Sequence, residues 1–186
     1  MGRVIACSQP GPAAACSISR MAIVAIFAAG QALAADLPSP RLTPGALNQN
    51  VTQANIAQTV CVKGYSKTIR PPANFTNRLK QQQIREYAYA DVNPKHYQED
   101  HLVPLAIGGA PDDRRNLWPQ PRDGEWGAGK KDQLEYVLYR MVCAHEIPLA
   151  DAQHEIATQW IAAWKKYVPG RQQGKSASAG GLRMKG

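Results

Sequence analysis

Apolar residues recur at three- and four-residue intervals in three stretches of the chain, and each predicts an amphipathic helix. Leu79, Gln83/Ile84 and Tyr87 mark the first, which Asn74 or Thr76 can cap and which runs to about Ala88. Leu134, Val137, Leu138, Met141 and Val142 stripe the second, from Lys130 to Ala144, just after Gly127 and Gly129. Ala152, Ile156, Trp160, Ala163/Trp164 and Tyr167 line the third, opened by Pro148 and ending near Tyr167. Two shorter segments have extended character. The run TVCVKGYSKTI, rich in β-branched residues, predicts a strand or hairpin that Pro71-Pro72 terminates. QEDHLVPLAIGG starts strand-like and ends in a Gly-Gly turn, and Asn116-Leu117-Trp118 returns as a second strand, so the two form a hairpin ahead of a helix. The sum is an α+β domain.

The flanks differ from this centre. Residues 21–30, MAIVAIFAAG, form an apolar run too short to span a bilayer, with Arg3 and Arg20 before it and Ala32-Leu33-Ala34 after it. That order predicts an exported protein with a signal over residues 1–34 and no membrane insertion once it is cleaved. Residues 35–57, rich in Pro, Asn and Gln, predict a flexible lead-in. Residues 58–168 hold the folded domain. Residues 169–186, Gly/Ser-rich and purely basic, predict a disordered tail.

Charge narrows the partners. The whole chain carries +8, and loss of Arg3 and Arg20 with the signal leaves +6. Such a balance points to anionic partners: nucleic acid, lipid or acidic polysaccharide. Of four cysteines, Cys7 and Cys16 fall in the signal region, leaving Cys61 and Cys143. A pair in an exported chain without CxxC or CxxH spacing predicts a disulfide rather than a zinc site.

The densest chemistry lies in Glu99-Asp100-His101-Leu102-Val103-Pro104-Leu105, then Gly108-Gly109, Arg114 and Asn116-Leu117-Trp118-Pro119. An acid and a histidine stand side by side at the start of the hairpin, and an asparagine stands at its return. Histidine titrates near neutrality and suits proton abstraction. A carboxylate is the hard oxygen donor that Mg²⁺ prefers. Arg114, Arg115 and Lys131 could offer charge to a phosphate. His96, His145 and His154 read as surface or packing residues, Glu99 as solvated rather than a ligand, and Trp118 and Trp126 as core or lid residues.

The pattern DH-x-x-P-L…G-G…N-L-W-P resembles the HNH (ββα-metal) endonuclease superfamily, in particular small exported bacterial members. These also have a cysteine-containing segment upstream and a K-D-x-L-E helix start, here Lys131 to Glu135. The resemblance implies a ββα-metal core of hairpin and helix, His101 as general base, Asp100 as a ligand to Mg²⁺ or another divalent cation, and Asn116 as the residue holding the hairpin together. It implies hydrolysis of nucleic-acid phosphodiester bonds; the expected partner is nucleic acid, DNA ahead of RNA, and the sequence does not say which of the two is cut. The pattern departs where such proteins place a last ligand on the helix: that slot falls near Glu125 or at Gly129, so Glu125 or Asp132 would have to serve. The rival expectations are a binding or structural protein that keeps this fold without turnover, and an exported surface protein using only its charge.

Overall fold

The computed structural model describes residues 37–179, the last ten as backbone alone, so the signal segment and residues 180–186 of the tail lie outside the described residues. The fold is α+β. Helix α1 (Tyr65–Thr68) and helix α2 (Ala73–Glu86) precede strand β1 (Tyr97–His101) and strand β2 (Leu117–Pro121). Helix α3 (Ala128–Cys143) and helix α4 (Leu149–Ala179) follow. The strands pair antiparallel, with Asp100 opposite Trp118 and His101 opposite Leu117. Among the described residues they form the whole sheet.

Two strands have too little surface to be stable alone. Helix α2 covers one side, burying Leu79, Gln83 and Ile84. The Gln83 amide replaces a ladder partner at the strand edge, donating from Nε2 to the carbonyls of Leu117 at 2.7 Å and Arg114 at 3.2 Å. Among the described elements α3 packs extensively against α4. Leu134, Leu138 and Val142 meet Ala152, Ile156 and Trp160 there, all 1 % exposed or less. Val103 and Ile107, from the loop joining the strands, enter the same core. The hairpin is therefore anchored to the helices through its connection.

That connection needs its two glycines. Gly108 sits at φ 81°, and a Cβ on Gly109 would lie 1.8 Å from the Val103 carbonyl oxygen. The expected tight Gly-Gly reversal is thus one corner of a longer loop, 102–116, containing single helical turns at Leu105–Ile107 and Arg114–Asn116.

Other expectations are corrected as well. The lead-in is packed rather than flexible over residues 37–57. Thr43, 1 % exposed, donates to the Leu117 carbonyl at 3.0 Å and accepts from the Tyr87 hydroxyl at 2.7 Å, and backbone bonds join Gly45 to Arg115 and Ala46 to Ala110. Backbone pairing of this kind leaves no periodic signature in sequence. The segment 59–69 forms turns and α1 rather than a strand: among the described residues no strand lies alongside to complete its ladder, and Gly64, at φ 88°, turns the chain into the helix. Helix α2 begins at Ala73, with Pro72 in the cap position in place of Asn74 or Thr76.

Helix α4 passes the end expected at Tyr167 and continues through Pro169. It is kinked at Gln159, which has non-helical φ −155° and ψ 47°. Across the kink, Glu155 accepts hydrogen bonds from both Lys166 and Tyr167, each at 2.8 Å. A straight helix would separate such residues by about 16–18 Å along its axis, so the bend is what brings them together.

Cys61 and Cys143 form the expected disulfide, 82 residues apart, joining the segment before α1 to the end of α3. Closing so long a loop removes about 4–5 kcal/mol of unfolded-chain entropy in the chain-entropy model. Reduction, or Cys143→Ser, is expected to lower the unfolding free energy by about that much, measured by denaturant titration with and without reductant. A midpoint unchanged by reductant would show the bond to be stabilising nothing.

Candidate functional site

Adjacent strand residues face opposite ways, and the hydrogen bonds of Asp100 and His101 follow that alternation. Asp100 points to α3 and His101 to the loop after Gly109. The two share one end of β1 and interact through space, but they do not converge on a single point.

On the Asp100 side the partner is Lys131. This lysine, expected to meet phosphate, is 0 % exposed. Its ammonium donates to Asp100 Oδ2 at 2.7 Å, to the His101 carbonyl oxygen at 2.7 Å and to Glu135 Oε1 at 2.5 Å. Three donors meet three acceptors, which is the condition for burying an ammonium. Burial alone would lower its pKa; the charges of Asp100 and Glu135 outweigh that, and the net direction is upward. Burial raises Glu135 against the opposing pull of Lys131. Lys131 therefore cannot reach a phosphate, and this part of the expectation is corrected. The signal was in the sequence: Lys131 and Glu135 are four apart, one helical turn.

Asp132 adds a third carboxylate. One oxygen each from Asp100, Asp132 and Glu135 lie within 4.8 Å of one another. Of the two acids expected as second ligand, Asp132 is in the cluster, whereas Glu125 is exposed and takes no part in it. Gly129 is exposed with open space around it. Three hard oxygens at this spacing suit Mg²⁺ in principle, but two of them already hold an ammonium. A divalent ion bound to Asp100 Oδ2 and Glu135 Oε1 would be pressed against Nζ, with a bare Coulomb repulsion that low dielectric magnifies. As arranged, these residues do not fit the ion.

His101 is 6 % exposed, and its Nε2 lies 2.8 Å from the Pro111 carbonyl oxygen. A carbonyl only accepts, so Nε2 carries the proton and Nδ1 of the neutral ring keeps its lone pair. Among the described residues no protein group bonds Nδ1. Burial lowers the His101 pKa, opposed by the Pro111 bond and the Asp100 charge and assisted by Arg70 and Lys131. The ring is thus held neutral, in one tautomer, with a basic nitrogen unengaged.

Asn116, 0 % exposed, clasps the loop: Oδ1 accepts from the Val103 amide at 2.8 Å, and Nδ2 donates to the carbonyls of Val103 at 2.9 Å and Ala110 at 3.0 Å. Ala110 precedes Pro111, so the clasp also fixes the carbonyl that orients His101.

The remaining candidates fall outside this cluster. Arg114 pairs with Glu86, and Arg115 pairs with Asp113 at 2.6 Å; both are exposed and already neutralised. Glu99, expected to be solvated, has both carboxylate oxygens buried without a hydrogen-bond partner, and burial followed by the Asp100 charge raises its pKa to about 8. The cations that sequence reading passed over are Arg70, whose charge reaches His101, and Lys80, Lys95 and Arg122. These last three line an open groove of about 450 Å³ with Asn77, Gln81 and Pro94. They come from α2, the turn before β1 and the end of β2, so only the fold gathers them. Burial and then the Arg122 charge lower the Lys80 pKa, opposed by Glu99. His96 pairs with Asp91 at 2.5 Å, away from the cluster.

Comparison of the chain with protein-family models, curated proteins and solved structures gave no match.

Asn116→Ala removes three buried hydrogen bonds and strands three backbone groups. The expected cost is about 2–4 kcal/mol, read by thermal or denaturant unfolding. A loss below about 0.5 kcal/mol would mean that the loop holds its shape without the clasp.

Proposed function

We propose that the chain hydrolyses nucleic-acid phosphodiester bonds with His101 as general base, on a hairpin-helix unit of the HNH (ββα-metal) kind, outside the cytoplasm and on DNA in preference to RNA. The observation that carries this reading is the fixed His101 ring, with Nε2–H on the Pro111 carbonyl and Nδ1 unbonded. The disulfide is compatible with export, and the net charge favours a polyanion.

In this reaction a water oxygen attacks phosphorus while Nδ1 takes the water's proton. The bond from phosphorus to the leaving oxygen breaks, and that oxygen is protonated from solvent or from the imidazolium so formed. Arg70 supplies positive charge beside the base, and the groove of Lys80, Lys95 and Arg122 supplies it along the backbone. No step is assigned to a metal ion, because the arrangement around Asp100 does not fit one.

His101→Ala is expected to reduce cleavage of plasmid DNA by about 10²–10⁴-fold. The lowered His101 pKa sets the pH profile. A base whose pKa lies under the ordinary 6.5 stays neutral down to that lower value, so activity falls only as pH drops below 6.5. An acid limb above pH 7, or equal cleavage by the alanine variant, would remove His101 from this role. For the groove, Lys95→Ala and Arg122→Ala should each flatten the dependence of log K on log salt for duplex binding, by about 0.9 for every phosphate left without its cation. Slopes identical to wild type would leave the groove without a part in binding.

A second reading is favoured by Lys131: a nucleic-acid-binding or structural protein that keeps this fold without turnover. An ammonium standing among the acids removes the electrostatic help that a divalent ion gives to the leaving group. Folded wild type that binds DNA but leaves it intact in chelator, Mg²⁺ and Mn²⁺ alike would select this reading.

A further inference from the structure

We infer that the Lys131 ammonium is the resident cation of the acid cluster, filling the place a divalent ion would take on Asp100 and Glu135, so that the wild-type chain binds no divalent ion there. The inference concerns occupancy and goes beyond the hydrolase reading, since it holds for either an active or an inactive protein.

The argument is one of coordination and charge. Around Nζ stand Asp100 Oδ2, the His101 carbonyl oxygen and Glu135 Oε1, at 2.7, 2.7 and 2.5 Å. Two carboxylates and a backbone carbonyl make the kind of oxygen set that hard cations take, and the ammonium faces all three. Lys131 is fully enclosed, so in this arrangement its amine meets its three oxygen acceptors and not solvent. Asp132, exposed at the mouth of the cluster, keeps a third carboxylate within 4.8 Å of the others. Removing only the amine would therefore leave three acids facing one another around an unfilled cavity. Such a site demands a cation and has the ligands for one.

The tethered cation has a consequence that a free ion lacks. It is present at fixed stoichiometry, cannot be chelated, and ties the His101 carbonyl to α3 at every ion concentration.

The test uses Mn²⁺ as probe, counting bound ions by the electron paramagnetic resonance of free Mn²⁺ and following melting in Mn²⁺ and in EDTA. Wild type is expected to bind no ion at the cluster and to melt at the same temperature in both. Lys131→Ala is expected to bind one Mn²⁺, to lose it on the further change Asp100→Asn, and to melt about 3–6 °C higher when Mn²⁺ exceeds its Kd tenfold. One Mn²⁺ bound by wild type and abolished by Asp100→Asn overturns the inference, and so does a folded Lys131→Ala that takes up none. Should that variant not fold, the wild-type titration decides alone: absence of a cluster-bound ion supports the assignment and a bound one sinks it. Because both readouts are binding and melting, a protein that cleaves no DNA leaves the result intact, and metal binding by wild type leaves the His101 reading to its own test.

Discussion

An ammonium group deprived of water must find three acceptors inside the protein, and the geometry around Lys131 is organised by that demand. Helix α3 supplies the amine and Glu135, one turn apart; β1 supplies the Asp100 carboxylate and the His101 carbonyl. The helix and the strand are otherwise weakly joined, since α3 packs chiefly on α4 and the hairpin chiefly on α2. The buried cation is thus a polar rivet between β1 and α3, beside the apolar anchor that Val103 and Ile107 make to the same helices. Its removal with the acids left in place would be far costlier than its replacement along with them, because uncompensated buried charge is what the interior tolerates least.

A second set of bonds, centred on the loop 102–116, turns this rivet into a positioned histidine. Asn116 fixes Val103 and Ala110, and the Pro111 carbonyl just beyond fixes the His101 ring. From the outside, Gly45 and Ala46 close over the same loop through backbone pairing. The ring and its carbonyl are therefore gripped from opposite sides, the backbone oxygen by α3 and Nε2 by the loop. A residue held at its backbone oxygen and at Nε2, and buried around its ring, has one tautomer and little freedom.

Much of the helical frame is legible from apolar spacing. Leu134, Leu138, Ile156 and Trp160 stand in the sequence as stripes on two helices, and they are the centre of the core. The hairpin and its Asp-His-Asn set are legible as well, because Gly108-Gly109 and the flanking strands are local signals. What does not show is everything decided by a distant partner. Lys131 reads as a surface cation until Asp100, 31 residues away, is brought beside it. Thr43 reads as linker until Leu117 and Tyr87 claim its hydroxyl. The run 59–69 has strand composition but no strand to pair with, so the disulfide and Gly64 decide its shape. Lys80, Lys95 and Arg122 are separated in sequence and form a groove only once the hairpin lies along α2.

The placement of the indole side chains has a practical corollary. Trp126 meets Trp160 and Trp164 edge-on, at centroid separations of 5.9 and 5.6 Å, while Trp118 stands apart in the hairpin opposite Asp100. Three of the four tryptophans of the chain thus share one neighbourhood at the junction of α3 and α4. Intrinsic fluorescence will consequently track the helical half of the molecule and be comparatively deaf to rearrangements of the hairpin, the half that holds His101.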